Sequence, residues 1–429
     1  MGRGRAVFGW AMYDFANSAF AATVLAAVFL TYFAGSVVEG GQIHGIPGES
    51  LWLYITSLAM GLVVLTGPVL GAIADASSRR KLFLVVFCLA GSTTTCLLVF
   101  VTPGRVMLAT VLVVAAAYAF AAGNIFYNSF LPDVASPGRV GRISGLGWGL
   151  GYLGSGLCLL LDVVLLNRPE WFGIPRENYL PVRVCTCVAG VWWLLFSIPM
   201  FRWVKEPRRD RPPRSITILG GVRSVLGTLA HLRRHGTLFL FVVAFLLYSN
   251  GVEAVLSAGA LFAGKELKMA PEDIVLCILM IQGVALVGSL AFGWLADVVG
   301  DRPAVLGSLV VWIAVLAWAY FIRSQAEFWM MGAVVGVVMG GTQAASRSLM
   351  AVMTPAARKA EFFGFYQLGG RAAAAVGPLV CGVVAQRTGS MRAAISSLLV
   401  FFAAGALLLL FVNVGRGVAE KERADAART

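Results

Sequence analysis

The chain has 429 residues, 59% of them hydrophobic and 13% charged, with a mean hydropathy of +0.83 and a formal net charge of +13. A soluble domain holds about half apolar and about a quarter charged residues, so this composition excludes a water-soluble globular protein and points to an integral membrane protein.

A helix needs about 20 apolar residues to cross the hydrocarbon core. Twelve such runs can be placed, at residues 10–36, 51–74, 82–102, 106–131, 143–166, 182–203, 238–263, 273–296, 304–322, 327–353, 361–385 and 393–414. They are numbered here as spans 1 to 12. Backbone groups find no water in lipid, so the runs are expected to be helices, and the fold class is an all-α membrane protein. The basic start "MGRGRAVFGW" leads into a long span without a small-residue cleavage site after a short apolar core, which reads as a retained first helix.

Span 1 opens with "WAMYDFANSAF", which puts Asp14 and Asn17 where a span should be apolar. After span 2 comes "GAIADASSRRK", and after span 4 "LPDVASPGRVGRISGLGWGLG". Between spans 6 and 7, a Pro/Arg-rich linker leads into apolar residues at helical spacing: Ile218, Val222, Val225, Leu226, Leu229 and Leu232. Such a segment is expected to lie on the membrane surface. In the second half, "GWLADVVGDRP" follows span 8 at an offset of about 222 from its first-half counterpart, and "MAVMTPAARKAEFFGFYQLGG" follows span 10 at about 219. Matching loops at matching places argue for a duplicated bundle. The expected organisation is an N-terminal six-helix bundle (1–204), a cytoplasmic linker with an amphipathic helix (205–236), a C-terminal six-helix bundle (237–415) and a cytoplasmic tail (416–429).

If the spans alternate, one side collects most of the basic residues, among them Arg79, Arg80, Lys81, Arg139, Arg142, Arg202 and the linker arginines. That bias places both termini in the cytoplasm, in a cell (inner) membrane, and accounts for the surplus charge without nucleic acid as a partner. The seven cysteines fall in or beside spans without a CxxC pair and read as packing residues. The three histidines, His44, His231 and His235, lie in loops, so no buried metal-ligand pair is expected.

Charged and amide groups are costly at depth, so those that remain should face the bundle interior. Span 1 has Asp14 and Asn17, span 4 Asn124 and Asn128, span 7 Asn250 and Glu253, and span 10 Gln343 and Arg347. Spans 3, 6, 9 and 12 have no such group in their interiors, while Asp162, Gln282, Gln367 and Arg371 lie in spans 5, 8 and 11. A period of three spans in both halves is what a polar cavity lined by spans 1, 4, 7 and 10 requires. Each pair is three or four residues apart and so shares a helix face. Asp14 is about 6 Å into its span and is expected near the interface. Glu253 lies mid-span, where a carboxylate loses its hydration, and is the first candidate for carrying a proton, Asp14 the second. A structural ion pair with Arg347 or Arg371 is the competing role for Glu253, and an interfacial latch for Asp14.

"GWLADVVGDR" carries the Gly-x-Leu-Ala-Asp-x-x-Gly-x-Arg pattern and so resembles the major facilitator superfamily; "GAIADASSRRK" looks like its first-half copy, with Ser78 where glycine is usual. The resemblance implies two pseudo-symmetric six-helix bundles and a cytoplasmic gate at Asp75, Arg79, Arg80, Lys81, Asp297 and Arg302, the two aspartates meeting basic groups and helix N-termini. More narrowly, "WAMYDFANSAF", "YNSFLPDVASPGRVGRISGLGWGLGYLGSGL" and "GGTQAASRSLMAVMTPAARKAEFFGFYQLGGRAAAAVGPL" resemble the branch of autophagy-related vacuolar amino-acid effluxers and their bacterial relatives. This resemblance implies amino-acid export by alternating access.

On that reading, Arg347 or Arg371 receives the carboxylate of an amino acid and Glu253 or Asp14 its ammonium. Tyr13, Tyr127, Tyr248 and Tyr366 would bound the side-chain pocket, and Asn17, Asn124, Asn128, Asn250, Gln343 and Gln367 complete the expected substrate-binding set. The expected partners are a small-molecule substrate, the lipid bilayer and, as an open alternative, a coupling proton; no cofactor is expected, and the chain is expected to be a monomer. Competing classes are export of another small amphiphile (a drug, peptide or sugar), a membrane receptor or scaffold on the same fold, and an enzyme, for which no nucleophile elbow or P-loop is present in the sequence.

Overall fold

The computed structural model describes residues 3–43, 45–207, 217–230 and 236–426. Several helix side chains, among them Ile218, 228–230 and 368–375, fall outside the described residues. Eleven helices among the described residues are long and apolar enough to cross a membrane: Arg3–Val37, Gly48–Ser77, Arg80–Phe100, Val106–Val134, Val140–Asn167, Glu177–Trp203, Gly236–Gly264, Leu276–Val299, Asp301–Phe321, Gln325–Met353 and Met391–Leu410. These are spans 1 to 10 and span 12. Span 11 falls in a 30-residue helix, Lys359–Thr388, that is only partly within the described side chains.

The chain divides into two compact units whose boundaries cut through helices. Unit 1 comprises Met1–Thr66, Arg79–Tyr127 and Leu150–Arg208; unit 2 comprises Gly67–Ser78, Asn128–Gly149 and Arg209–Thr429. Spans 2, 4 and 5 therefore each contribute one end to unit 2.

In unit 1, span 1 packs on span 6 and span 3 packs on span 6. The contacts need small residues: a Cβ on Gly9 would stand 2.6 Å from the Pro199 carbonyl oxygen, and one on Gly91 2.2 Å from the Trp193 ring. Lipid tails give apolar helices no hydrophobic reason to associate, so close backbone approach and interlocked rings such as Trp10 and Trp193, both fully buried, hold the unit together. Span 1 departs from the uninterrupted run its composition predicts. It is α-helical over Arg3–Phe20, π-helical over Ala21–Ala26, and broken at Ala27 (φ −130°, ψ −80°) before a further short α-turn.

In unit 2, span 8 packs along span 10 and span 7 along spans 11 and 12. The linker helix, Ile218–Ala230, rests Gly221 against Val69 and Ile73 and leaves Leu219, Val222 and Leu226 exposed at helical spacing. Leu232 lies outside the described residues, as do the side chains of Ile218 and Leu229. The residues expected to form a tail instead make a helix, Val414–Ala426, docked on the end of span 10. Its Glu420 carboxylate accepts from Thr237, its Asp425 accepts from the Ala356 N–H at 2.9 Å, and Lys421 donates to the Val352 carbonyl at 3.1 Å. Burial pulls the Lys421 ammonium below its usual range.

Candidate functional site

Many of the residues expected to matter fall into a helix-end junction in unit 2, an arginine cluster in unit 2, and an aromatic-amide cluster in unit 1.

The junction is built twice. Asp75, near the C-terminal end of span 2, accepts from the backbone N–H of Glu361 at 2.9 Å, and Glu361 is the third residue of the helix Lys359–Thr388. Asp297, near the C-terminal end of span 8, accepts from Gly141 N–H at 2.8 Å and Arg142 N–H at 3.1 Å, the second and third residues of span 5. The first turn of a helix has N–H groups without intrahelical acceptors and a partial positive charge, so a carboxylate is its natural cap. Here the cap comes from another helix.

Glycine makes that approach possible. A Cβ on Gly71 would meet the Ala360 carbonyl oxygen at 2.4 Å, and one on Gly293 would meet that of Gly141 at 2.6 Å. Each glycine is four residues, about one turn, before its aspartate, so one helix face supplies both the close contact and the cap. A second layer repeats the pattern: Gly364 abuts Pro68, and Gly145 abuts Ser289.

The basic residues expected at the gate also reach the ends of other helices. Arg80 N–H donates to Glu206 at 2.8 Å, with its guanidinium 3.5 Å from the same carboxylate. Lys81 donates to the Val204 carbonyl at 2.7 Å, and Arg302 donates to the carbonyls of Leu409 (3.1 Å) and Leu410 (2.5 Å). Both arginines thus tie down the end of the sixth helix of their own half. Arg79 is exposed. Two residues absent from the expected gate join it instead: Lys359 and Asp133 form a short, nearly buried ion pair. The only hint in sequence is that both sit in the repeated loops.

Arg347 is 2% exposed. Its guanidinium donates to Asn128 Oδ1 (3.2 Å), Ser144 Oγ (3.1 Å) and the Ser144 carbonyl (2.6 Å), and lies 5.1 Å over the Trp148 ring. Ser144 Oγ in turn donates to the Ala344 carbonyl at 2.7 Å. A planar fork held on several edges keeps one orientation, which suits recognition of a carboxylate. Spacing along spans 4 and 10 predicts Asn128 and Arg347; Ser144 and Trp148 are not separable in sequence from the glycine-rich run around them.

In unit 1, Asn17 Nδ2 donates to Asn124 Oδ1 at 2.8 Å, joining two residues of the expected set. Asp14, 8% exposed, accepts from the Tyr127 hydroxyl at 2.9 Å. Tyr127 is stacked between Trp10 (4.7 Å) and Tyr13 (4.9 Å), and its carbonyl accepts from the Trp10 indole at 3.0 Å.

Other expected residues are placed differently. Asn250 spends its amide on backbone, donating to the Leu246 carbonyl and accepting from Gly377 N–H at 3.2 Å, where spans 7 and 11 touch. Tyr366 is buried and stacked on Phe245 at 4.1 Å, while Tyr248 bonds Ser346 at 2.6 Å. Glu253, Gln343 and Gln367 are half-buried. The side chain of Arg371 lies outside the described residues.

The family model described as "Vacuole effluxer Atg22 like" matches residues 37–422. An uncharacterized MFS-type transporter of Bacillus subtilis, YxiO, is 30% identical over 403 residues, covering 94% of each chain. Autophagy-related protein 22 of Yarrowia lipolytica is 24% identical over 472 residues, covering 88% of this chain and 78% of that one. Among solved structures, the major facilitator transporter FucP superposes with a TM-score of 0.74 at 12% identity, over 96% of this chain and 98% of its own. The human organic anion transporter MFSD10 gives 0.72 at 16% identity, over 95% and 100%. The structural likenesses show the fold, that of the major facilitator superfamily.

Proposed function

The chain belongs to the Atg22-like vacuole effluxer family of major facilitator transporters, and on that premise we propose that it exports amino acids or similar small polar solutes by alternating access. The observation that carries the reading is the duplicated junction. A transporter must hold one end shut and then release it, and a carboxylate on the N-terminus of a neighbouring helix is a contact that water can replace. Each such hydrogen bond to a charged group contributes about 1.5–3 kcal/mol, enough to bias a two-state equilibrium and small enough to be reversed within a cycle.

In this reading Arg347 receives the substrate carboxylate, with Arg371 as its alternative, and Asp14 or Glu253 receives the ammonium or a coupling proton. Asn17, Asn124 and Asn128 complete the polar lining. The chain works as a monomer in a cell membrane with both termini cytoplasmic. The basic loops support that orientation, and the exposed apolar stripe of the linker helix supports a seat on the membrane surface.

The test is uptake of labelled leucine into proteoliposomes with and without an imposed pH gradient, against a competitor panel of amino acids, sugars and organic anions. Amino-acid-selective flux that follows the gradient is the expected result. Leucine flux no greater than in empty vesicles, with flux of another solute, would transfer the assignment to that solute. Arg347→Lys keeps the charge but loses the fork, and is expected to weaken apparent leucine affinity about tenfold or more.

A further inference from the structure

Asp162 is a fully buried carboxyl group that the reading above does not use. It lies within span 5, five residues before the helix ends at Asn167. Its Oδ2 accepts from the Thr23 hydroxyl at 2.5 Å, while its Oδ1, equally shielded, has no hydrogen-bond partner. The groups around it come from three helices. Span 1 supplies Thr23; span 5 itself supplies Cys158, whose sulfur is 3.6 Å from the Thr23 hydroxyl; span 6 supplies Cys185, whose thiol is 3.9 Å from the Asp162 carbonyl oxygen. Ala19, Cys158 and Ala189 form a wholly buried apolar cluster beside them. The basic residue nearest in sequence on span 6, Arg183, commits its guanidinium to the carbonyls of Val99 and Asn178. Among the described residues no cation pairs with Asp162.

An ionised carboxylate in such a place costs several kcal/mol, because neither a counter-ion nor a donor on Oδ1 replaces the lost water. A proton removes that cost. A metal or alkali cation would not do so equally well: beyond Thr23 and the carboxyl itself the surroundings are thiols and methyl groups, too few oxygens for a hard cation. The second observation is the backbone opposite. Thr23 sits inside the π-helical segment Ala21–Ala26, one turn from the break at Ala27. π-turns inside α-helices are frequent at functional sites, and this one sets Thr23 on a stretch of span 1 that is not α-helical.

We infer that Asp162 is a proton-binding site of this transporter, neutral in the arrangement described here and discharged when the π-helical segment of span 1 withdraws Thr23 and admits water. On discharge the carboxyl O–H bond breaks, water takes the proton, and both carboxylate oxygens become hydrated. The inference rests on the proton-coupled reading and adds to it a carboxyl distinct from Asp14 and Glu253.

Infrared spectroscopy of the full chain in lipid, titrated with pH, reads the site directly and needs no substrate. A protonated-carboxyl band that disappears reversibly at alkaline pH, is missing in Asp162→Asn and persists in Asp14→Asn and Glu253→Gln is the expected result. Spectra of the unaltered chain and Asp162→Asn that agree at every pH would overturn the inference. So would an Asp162 band that never titrates while the protein stays folded, or one lost on adding sodium at constant pH. Thr23→Val, which removes the donor to Oδ2 and no charge, should shift the band frequency, and covers the case in which Asp162→Asn does not fold. With labelled leucine, one coupled proton and a gradient of one pH unit sustain about tenfold accumulation. Asp162→Asn should lose that accumulation and keep leucine exchange at equal pH. Failure of leucine to move at all would count against the substrate assignment and leave the infrared result standing.

Discussion

Asp75 and Asp297 occupy equivalent places in the two halves of the sequence, yet the turns that follow them are not built alike. Asp297 accepts from two backbone N–H groups and has the Arg142 guanidinium 3.4 Å away, and Asp75 accepts from the N–H of Glu361. Lys359, of the nearly buried Lys359–Asp133 pair, opens the very helix that Asp75 caps. The residue three after each aspartate differs too: Gly300 has φ 98°, while Ser78 is forced to φ 52°. The first copy thus accepts a strained turn where the second has a glycine. A duplicated motif conserves the cap and leaves the turn after it free to vary.

Exchanging the aspartates tests the two copies most strongly. Asp297→Asn and Asp75→Asn each remove the charge that caps a helix N-terminus and are expected to cost about 1.5–3 kcal/mol of the local contact. Thiol labelling of Ser136→Cys, in the loop before span 5, and of Ala357→Cys, before span 11, measures each junction separately. Labelling that stays unchanged in either variant would dissolve the corresponding cap.

Next come the glycines. Gly71→Ala and Gly293→Ala each press a methyl group into a carbonyl oxygen and should cost about 1–3 kcal/mol, seen as a lower Tm and faster labelling of the matching loop. Lys359→Met leaves the nearly buried Asp133 without its cation and is expected to cost about 2 kcal/mol. It should couple to Asp75→Asn in a double-mutant cycle and add simply to Asp297→Asn. Arg142→Met should cost less than about 1 kcal/mol, because its side chain is 48% exposed and solvent screens the pair. The smallest effect has the opposite sign. Ser78→Gly relieves a left-handed serine and should raise stability by up to about 1 kcal/mol, whereas Gly300→Ser should lower it by a similar amount.

Much of this was legible in the order of residues. The apolar runs locate eleven spans that the described residues bear out, most ends to within about five residues, because the bilayer sets a length that any crossing helix must meet. Helical spacing singles out Asn17, Asn124, Asn128 and Arg347, and the repeat marks the two capping aspartates. Less legible were the partners. Arg80 and Arg302 follow the aspartates closely in sequence, but nothing in the order of residues shows that Arg80 meets Glu206 or that Arg302 holds the carbonyls of Leu409 and Leu410. Asn250 has the same spacing signature as Asn124 and is used to join two backbones.

What the sequence by itself determined is the class of solvent, the duplicated plan and the expensive polar groups, since hydropathy, period and offset are properties of the chain read one residue after another. Only the tertiary structure decided which of those groups meet, that Lys359 joins Asp133, that Ser144 and Trp148 hold Arg347, and that span 1 unwinds opposite Asp162. These depend on side chains more than a hundred residues apart arriving within about 3 Å of one another, and local propensity carries no information about that distance.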